Sequence, residues 1–221
     1  REMVQICTLA GRDMSAVISD MDQPLGYAVG NALEVKEAIA TLNGNGPEDL
    51  RELVLVLTSL MVVKAGKAKD IREARILLEE TLDSGKALQV MKEWIVAQGG
   101  TAEEVEHPDL LPQALCQEAV CAEKSGFVTK IHTEEIGRIC MLLGGGRAKK
   151  GDPIDLSVGL VLRKKVGDPV HSGESLAILH ANDREKLAEA KERLLKAYEI
   201  KKEPVAVRPL IWEILDGTEA E

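Results

Sequence analysis

The chain has 221 residues, 45% of them hydrophobic, which is enough to bury one substantial core or two smaller ones joined by a linker. Its 28 Lys and Arg stand against 37 Asp and Glu, and the net charge of -9, with only two Trp, two Tyr and one Phe, argues against nucleic acid as a partner. No apolar run is long enough to span a bilayer and no basic segment leads into an apolar stretch as in a secretory leader, so the expected place is the cytoplasm, away from membranes.

Residues 1–10 read as a helix with Met3, Ile6 and Leu9 on one face and no capping residue ahead of it. A helix joined in mid-course leads to the expectation of a fragment whose upstream part lies elsewhere. Gly11 stops this helix, and residues 14–19 (Met-Ser-Ala-Val-Ile-Ser) form a short apolar run suited to a buried strand. Residues 23–30, with Pro24, Gly26 and Gly30, make a loop, and Asn31 to Leu42 follows as a helix with Leu33, Ala38 and Ile39 turned inward. Asn45-Gly46, then Pro47, Glu48 and Asp49, announce a helix carrying Leu50, Leu53, Val54, Leu57 and Met61 at helical spacing. Asp70 is placed to cap the next, with Ile71, Ala74, Leu78 and Leu82 along one face, and after Ser84-Gly85 another runs from Lys86 to Ala97.

Residues 99–112 hold Gly-Gly, an acidic run and two prolines, and read as a linker. The expected domains are therefore 1–112 and 113–221. Beyond the linker come short β-rich runs at 119–122, 127–132, 154–162 and 175–180, with Gly126, Gly151, Gly167 and Gly173 at turns. Two helices interrupt them: Thr133 to Leu143, and 182–198, the latter opened by an Asn182 and Glu185 capping box with Leu187, Lys191 and Leu194 along its length. The tail, 209–215, is apolar enough to dock. The fold class is α/β, followed by a small α+β, β-rich C-terminal domain. Cys7, Cys116, Cys121 and Cys140 show no metal-ligand spacing and read as buried free thiols, and the four histidines are dispersed, with no pair on one helical face.

The loop from Asp20 to Gly30 has a strand before it and a helix after it. Spacing alone would let its amides meet an anion, but Asp20, Asp22, Glu34 and Glu37 surround it with only Lys36 as counterweight, a setting better suited to a cation. On the residues alone an ordinary βα turn with Glu37 on a solvated face stays open. The segment Ala16-Val-Ile-Ser-Asp-Met-Asp-Gln-Pro-Leu-Gly-Tyr-Ala-Val-Gly-Asn-Ala-Leu-Glu-Val-Lys-Glu-Ala-Ile39 closely resembles a central stretch of pyrimidine nucleoside and thymidine phosphorylases. A second, Leu143-Gly-Gly-Gly-Arg-Ala-Lys-Lys-Gly-Asp-Pro-Ile-Asp-Leu-Ser-Val-Gly159, is similar to the glycine-rich loop and following strand of their C-terminal β-domain. Order and spacing agree as well, so the chain resembles the C-terminal half of that family. Residues 166–179 also resemble the hairpin of biotinyl and lipoyl carrier domains, without the lysine that a carrier needs at a hairpin tip.

The resemblance implies an enzyme of reversible phosphorolysis, in which phosphate is co-substrate and attacks C1′ of a pyrimidine nucleoside to give the free base and a pentose 1-phosphate. The family's phosphate loop and base-holding residues lie upstream of the matched stretch, so no catalytic and no substrate-binding residue is assigned here, and the chain alone is expected to be inactive. What the resemblance does carry over is a cation site, potassium or calcium, with main-chain carbonyls at Leu25 and Ala28 and the carboxylate of Glu37. It further implies that the loop 144–150 shifts as the domains close, although a flexible surface hairpin accounts equally for the same residues, and that the family forms a homodimer chiefly through an N-terminal helical domain. The alternative is a non-catalytic structural or binding module derived from the family.

Overall fold

The computed structural model describes residues 1–217. In chain order the elements are α1 (Glu2–Leu9), β1 (Ser15–Ser19), β2 (Ala28–Val29), α2 (Asn31–Leu42), α3 (Glu48–Lys64), α4 (Ile71–Asp83), α5 (Lys86–Ala97), α6 (Glu103–Glu106), β3 (Cys116–Cys121), β4 (Gly126–Ile131), α7 (Thr133–Leu143), β5 (Gly159–Leu162), β6 (Pro169–Val170), β7 (Ser175–Ala181), α8 (Arg184–Ala197), β8 (Tyr198–Lys201) and β9 (Ile211–Asp216). This is a mixed α/β fold, helix-rich first and β-rich after. Local chemistry sets several boundaries. The Asp70 side chain accepts the Glu73 N–H at 2.8 Å and caps α4, an interaction worth about 1 kcal/mol. Gly85 and Gly144 both sit at helix ends with positive φ, where a side chain would be strained.

Three antiparallel sheets organise the strands: β1 with β9, the four-stranded order β2-β5-β7-β3, and the three-stranded order β6-β4-β8. The core lies in the second half. Val120, Val128, Ile139, Val158, Leu160, Leu179, Ala190 and Leu194 are fully enclosed where α7 and α8 cover the sheets. Chain segments cross between the halves in both directions, since β2 adds to β5 in the second half's sheet and β9 returns to pair along β1, with Val17 opposite Ile214. The apolar tail docks in this way.

Several expectations change. The run at 14–19 is not a buried strand: β1 is only half-buried, its partner is the chain's own tail, and Ile18 is exposed. The stretch at 99–112 is folded, with α6 and a 3-10 turn at Pro108–Leu110, because Val105 drops into the protein and pins it. In the run at 154–162 only Gly159–Leu162 is strand, and the run at 119–122 begins earlier, at Cys116. Asp183, not Asn182, caps α8, taking the N–H groups of Glu185 and Lys186 at 2.9 and 3.1 Å. Only Cys140 of the four thiols is buried, and burial pushes it up to about 11; Cys121 is exposed. The segment resembling a carrier hairpin splits between layers, β6 pairing with β4 while β7 pairs with β3 and β5.

The largest departure concerns the helical stripes. Met3, Ile6 and Leu9 of α1 and Val54, Leu57 and Met61 of α3 all face outward, while Val4, Leu55 and Leu60 are the buried positions. Trp94 and Val90 of α5 are exposed as well. Periodicity located these helices correctly but not the side on which each finds a partner.

Candidate functional site

The loop between β1 and α2 is held from three directions. On its helix side Glu37, in the second turn of α2, reaches back so that Oε1 accepts the N–H groups of Tyr27 and Ala28 at 2.9 and 3.0 Å. Gly26 is required beneath this carboxylate, because a Cβ there would lie 2.2 Å from Glu37 Oε2, and its φ of +66° already favours glycine. Burial raises the Glu37 carboxyl above the usual glutamate range; the Tyr27 and Ala28 amides and the Lys165 charge pull the other way, and Asp49 adds to the rise.

On its second side the loop meets α3. Asp49, in that helix's first turn, accepts the Gly26 N–H at 3.2 Å with Oδ2. The third side comes from the far half of the sequence: Lys165, only 9% exposed, sends its ammonium to the carbonyl of Pro24 and, at 2.8 Å, to Asp49 Oδ2, while sitting 5.4 Å from the centre of the Tyr27 ring. The Val166 N–H donates to Gln23 Oε1 at 2.9 Å and the Leu162 N–H to the Tyr27 carbonyl at 2.8 Å, so the β5–β6 connection lies along the loop. A cavity of about 460 Å³ opens beside it, lined by Tyr27, Lys36, Glu37, Pro47 and Arg163 among others.

Of the three residues expected to bind a cation, the structure brings Ala28 and Glu37 into direct contact, through the Ala28 amide and not its carbonyl; Leu25 is partly exposed, immediately before Gly26. Among the described residues no group of three or more His, Cys, Asp or Glu side chains is gathered as a metal set. The donors available to an ion are therefore hard oxygens of mixed kind: Glu37 Oε2, which has no hydrogen-bond partner among the described residues, and main-chain carbonyls of the loop. Hard oxygens of this kind fit a cation such as potassium or calcium. Reading the sequence missed Asp49, taken there as a helix-start acid, and Lys165. The second carries no local signal, since it lies in the run Arg163-Lys164-Lys165, 116 positions from its carboxylate partner.

The glycine-rich segment after α7 is tied to the same helix. Asn31 Nδ2 donates to the Gly145 carbonyl at 3.1 Å, and the Ala32 N–H donates to the Leu156 carbonyl at 3.0 Å, so both ends of that segment meet the first turn of α2. Its base is fixed by a polar cluster. Asp155 Oδ1 accepts from Ser157 Oγ at 2.6 Å, and Asn182 Nδ2 donates to Asp155 Oδ2 at 2.7 Å while its Oδ1 accepts the Leu115 N–H at 2.7 Å. A wider cleft of about 980 Å³ lies between residues 20–23, the start of α7 and the end of α8, where Arg138, Arg193 and Arg208 are paired with Glu134, Glu135 and Asp22.

Known proteins give this arrangement its context. Residues 1–88 match the family model for the glycosyl transferase family a/b domain, and residues 127–201 match that for the pyrimidine nucleoside phosphorylase C-terminal domain. The chain is 50% identical over 213 residues to a pyrimidine-nucleoside phosphorylase of Geobacillus stearothermophilus, covering 96% of this chain and 49% of the relative. It is 57% identical over 182 residues to that of Bacillus subtilis (82% and 42% covered) and 54% over 180 residues to that of Staphylococcus aureus (81% and 42%). The chain thus spans about half the length of the curated relatives it matches. With both family domains matched in order and this identity running across their junction, the chain belongs to the pyrimidine nucleoside phosphorylase family, aligning with its C-terminal half.

Proposed function

We propose that this chain supplies the C-terminal part of a cytoplasmic pyrimidine-nucleoside phosphorylase, which carries out reversible phosphorolysis of uridine- and thymidine-type nucleosides to free base and pentose 1-phosphate. In this reading residues 1–112 complete a larger α/β domain, residues 113–221 form the β-rich domain, and β2 and β9 cross between them. The observation that carries it is the set of outward apolar stripes on α1, α3 and α5, with Leu9, Met61 and Trp94 each more than half exposed: these are faces shaped to pack against further chain. Phosphate and nucleoside would be held mainly by that further chain, and the homodimer would form through it.

The chain's own contribution is positional. Glu37, with the carbonyls of Leu25 and Ala28, is the proposed seat of potassium or calcium, the remaining ligands coming from water or from the rest of the enzyme. When bound, the cation supplies a fixed positive charge that locks the loop's conformation. The contacts from Asn31 and Ala32 to the glycine-rich segment would pass that rigidity to the part of the fold expected to move in closure.

The test is release of uracil or thymine from uridine or thymidine in phosphate. The purified 221-residue chain should show none, since nothing in it is assigned to cradle phosphate or stabilise the departing base, and fusing the N-terminal portion of a family relative ahead of it should restore turnover. Turnover by the 221 residues alone at an ordinary enzyme rate would overturn the assignment of roles. One observation favours a second reading, a non-catalytic module of this family: the buried core cluster is drawn from residues 114–200, with Val29 of β2 packed against it. Failure of the fusion to turn over while it folds would favour that reading.

A further inference from the structure

We propose that Lys165 sets the charge selectivity of the Glu37 loop, cancelling one of its two carboxylates so that the loop takes a monovalent cation in preference to a divalent one. The proposal rests on the cation reading of the loop given above, and the contacts that carry it are those of the ammonium itself. Two carboxylates touch the backbone of residues 26–28: Glu37 through the Tyr27 and Ala28 amides, and Asp49 through the Gly26 amide. One buried cation answers them, and it is built into the chain. Lys165 Nζ lies 2.8 Å from Asp49 Oδ2, binds the Pro24 carbonyl, and lies over the Tyr27 ring.

The ammonium holds a main-chain carbonyl and a carboxylate of the loop together, as a bound cation would. Its position pairs it with Asp49 and leaves Glu37 Oε2 without a hydrogen-bond partner among the described residues, and with Lys36 and Arg163 lining the same cavity the loop offers an ion at most one net negative charge. A univalent ion closes that account locally. A divalent ion would meet one negative charge from Glu37 and one positive charge from Lys165 close by. Glu48 and Asp168 add to the negative field around Tyr27, but neither touches the residues that Glu37 bridges. The arrangement also explains why a lysine so remote in sequence is nearly buried. The β5–β6 connection brings it in, and its own N–H is fixed by Asp168 at 2.8 Å, so the side chain enters from a rigid base.

The experiment follows the thermal unfolding midpoint of the 221-residue chain in potassium chloride and calcium chloride, each against choline chloride at matched ionic strength. In the wild type potassium should raise the midpoint more than calcium. Lys165→Met should reverse that order, with the preference for calcium over potassium rising on the order of tenfold, since one unit charge near the ion is removed. The double variant Asp49→Asn with Lys165→Met removes the pair together, leaves Glu37 as the loop's one carboxylate, and should return the potassium preference. Asp49→Asn alone leaves Glu37 balanced by Lys165 and should abolish the response to both ions. Lys165→Met keeping the wild-type order overturns the proposal; if that variant does not fold, an undiminished response in Asp49→Asn overturns it instead. Indifference to both ions in the wild type and in all three variants, in this chain and in its fusion to the N-terminal portion of a relative, removes the cation reading itself; a calcium response that Lys165→Met gains over the wild type establishes the selection by charge.

Discussion

Gly30 and Gly159 meet back to back where β2 joins β5, and replacing Gly159 by alanine tests how the loop is seated. Its φ is +149°, and a Cβ built there falls 2.2 Å from the Val29 carbonyl oxygen and 3.0 Å from the Gly30 Cα. Both neighbours are backbone, so neither can rotate aside. The unfavourable φ costs about 1–3 kcal/mol for a residue with a side chain. Pushing β2 away also loosens the Leu162 N–H to Tyr27 carbonyl bond of 2.8 Å, worth about 1 kcal/mol. Gly159→Ala should therefore destabilise the chain by about 2–4 kcal/mol. The control is Gly66→Ala, also at positive φ (+67°) but with nothing within 4 Å of the new Cβ, which should cost only about 1–2 kcal/mol. At a urea dependence of roughly 2 kcal/mol per molar, the two midpoints should differ by about 1 M. Equal losses for the two variants would refute the argument, because they would leave backbone conformation alone as the cause and deny the close approach of the two strands.

Glu37→Gln keeps an oxygen acceptor for the Tyr27 and Ala28 amides but removes the charge, so potassium or calcium should no longer raise the unfolding midpoint; an unchanged cation response would remove Glu37 from the site. Without added cation the same variant has a pH signature. The folded Glu37 carboxyl is raised, chiefly by burial, so its favourable contribution is complete below the ordinary glutamate value and is lost as pH rises through the folded one; Gln should flatten that loss in urea unfolding across the interval. Asp155 has the opposite sign. Burial alone would raise it, but the hydrogen bonds from Ser157 and Asn182 outweigh burial and hold it below the usual aspartate range, so its contribution is present above that range and lost as pH falls through the folded value. Asp155→Asn should therefore weaken the acid sensitivity of unfolding, which an unaltered acid limb of the stability curve would contradict.

The sequence by itself determined the elements whose signals are local. Asp70 starts a helix by accepting the Glu73 N–H, glycines at 85 and 144 end turns that only positive φ allows, and α2, α5 and α7 run where periodicity puts them. The two segments that mark the family are contiguous stretches of this kind, and so is the spacing between Ala28 and Glu37, which lets a carboxylate in the second turn of a helix reach back to the loop before it. Tertiary structure decided what depends on partners far along the chain. Nothing near Met14 says that β1 will pair with a strand two hundred residues on, and the stripe Val54, Leu57, Met61 reads as core until the fold is seen to bury Leu55 and Leu60 instead. Helical spacing fixes which residues share a face, while burial depends on what is packed against that face. The same holds at the site. Glu37 came to notice through the family resemblance, and its contacts are with amides nine and ten residues away, whereas the Asp49 and Lys165 pair arises only because two separate turns are carried to one point by α3 and by the β5–β6 connection.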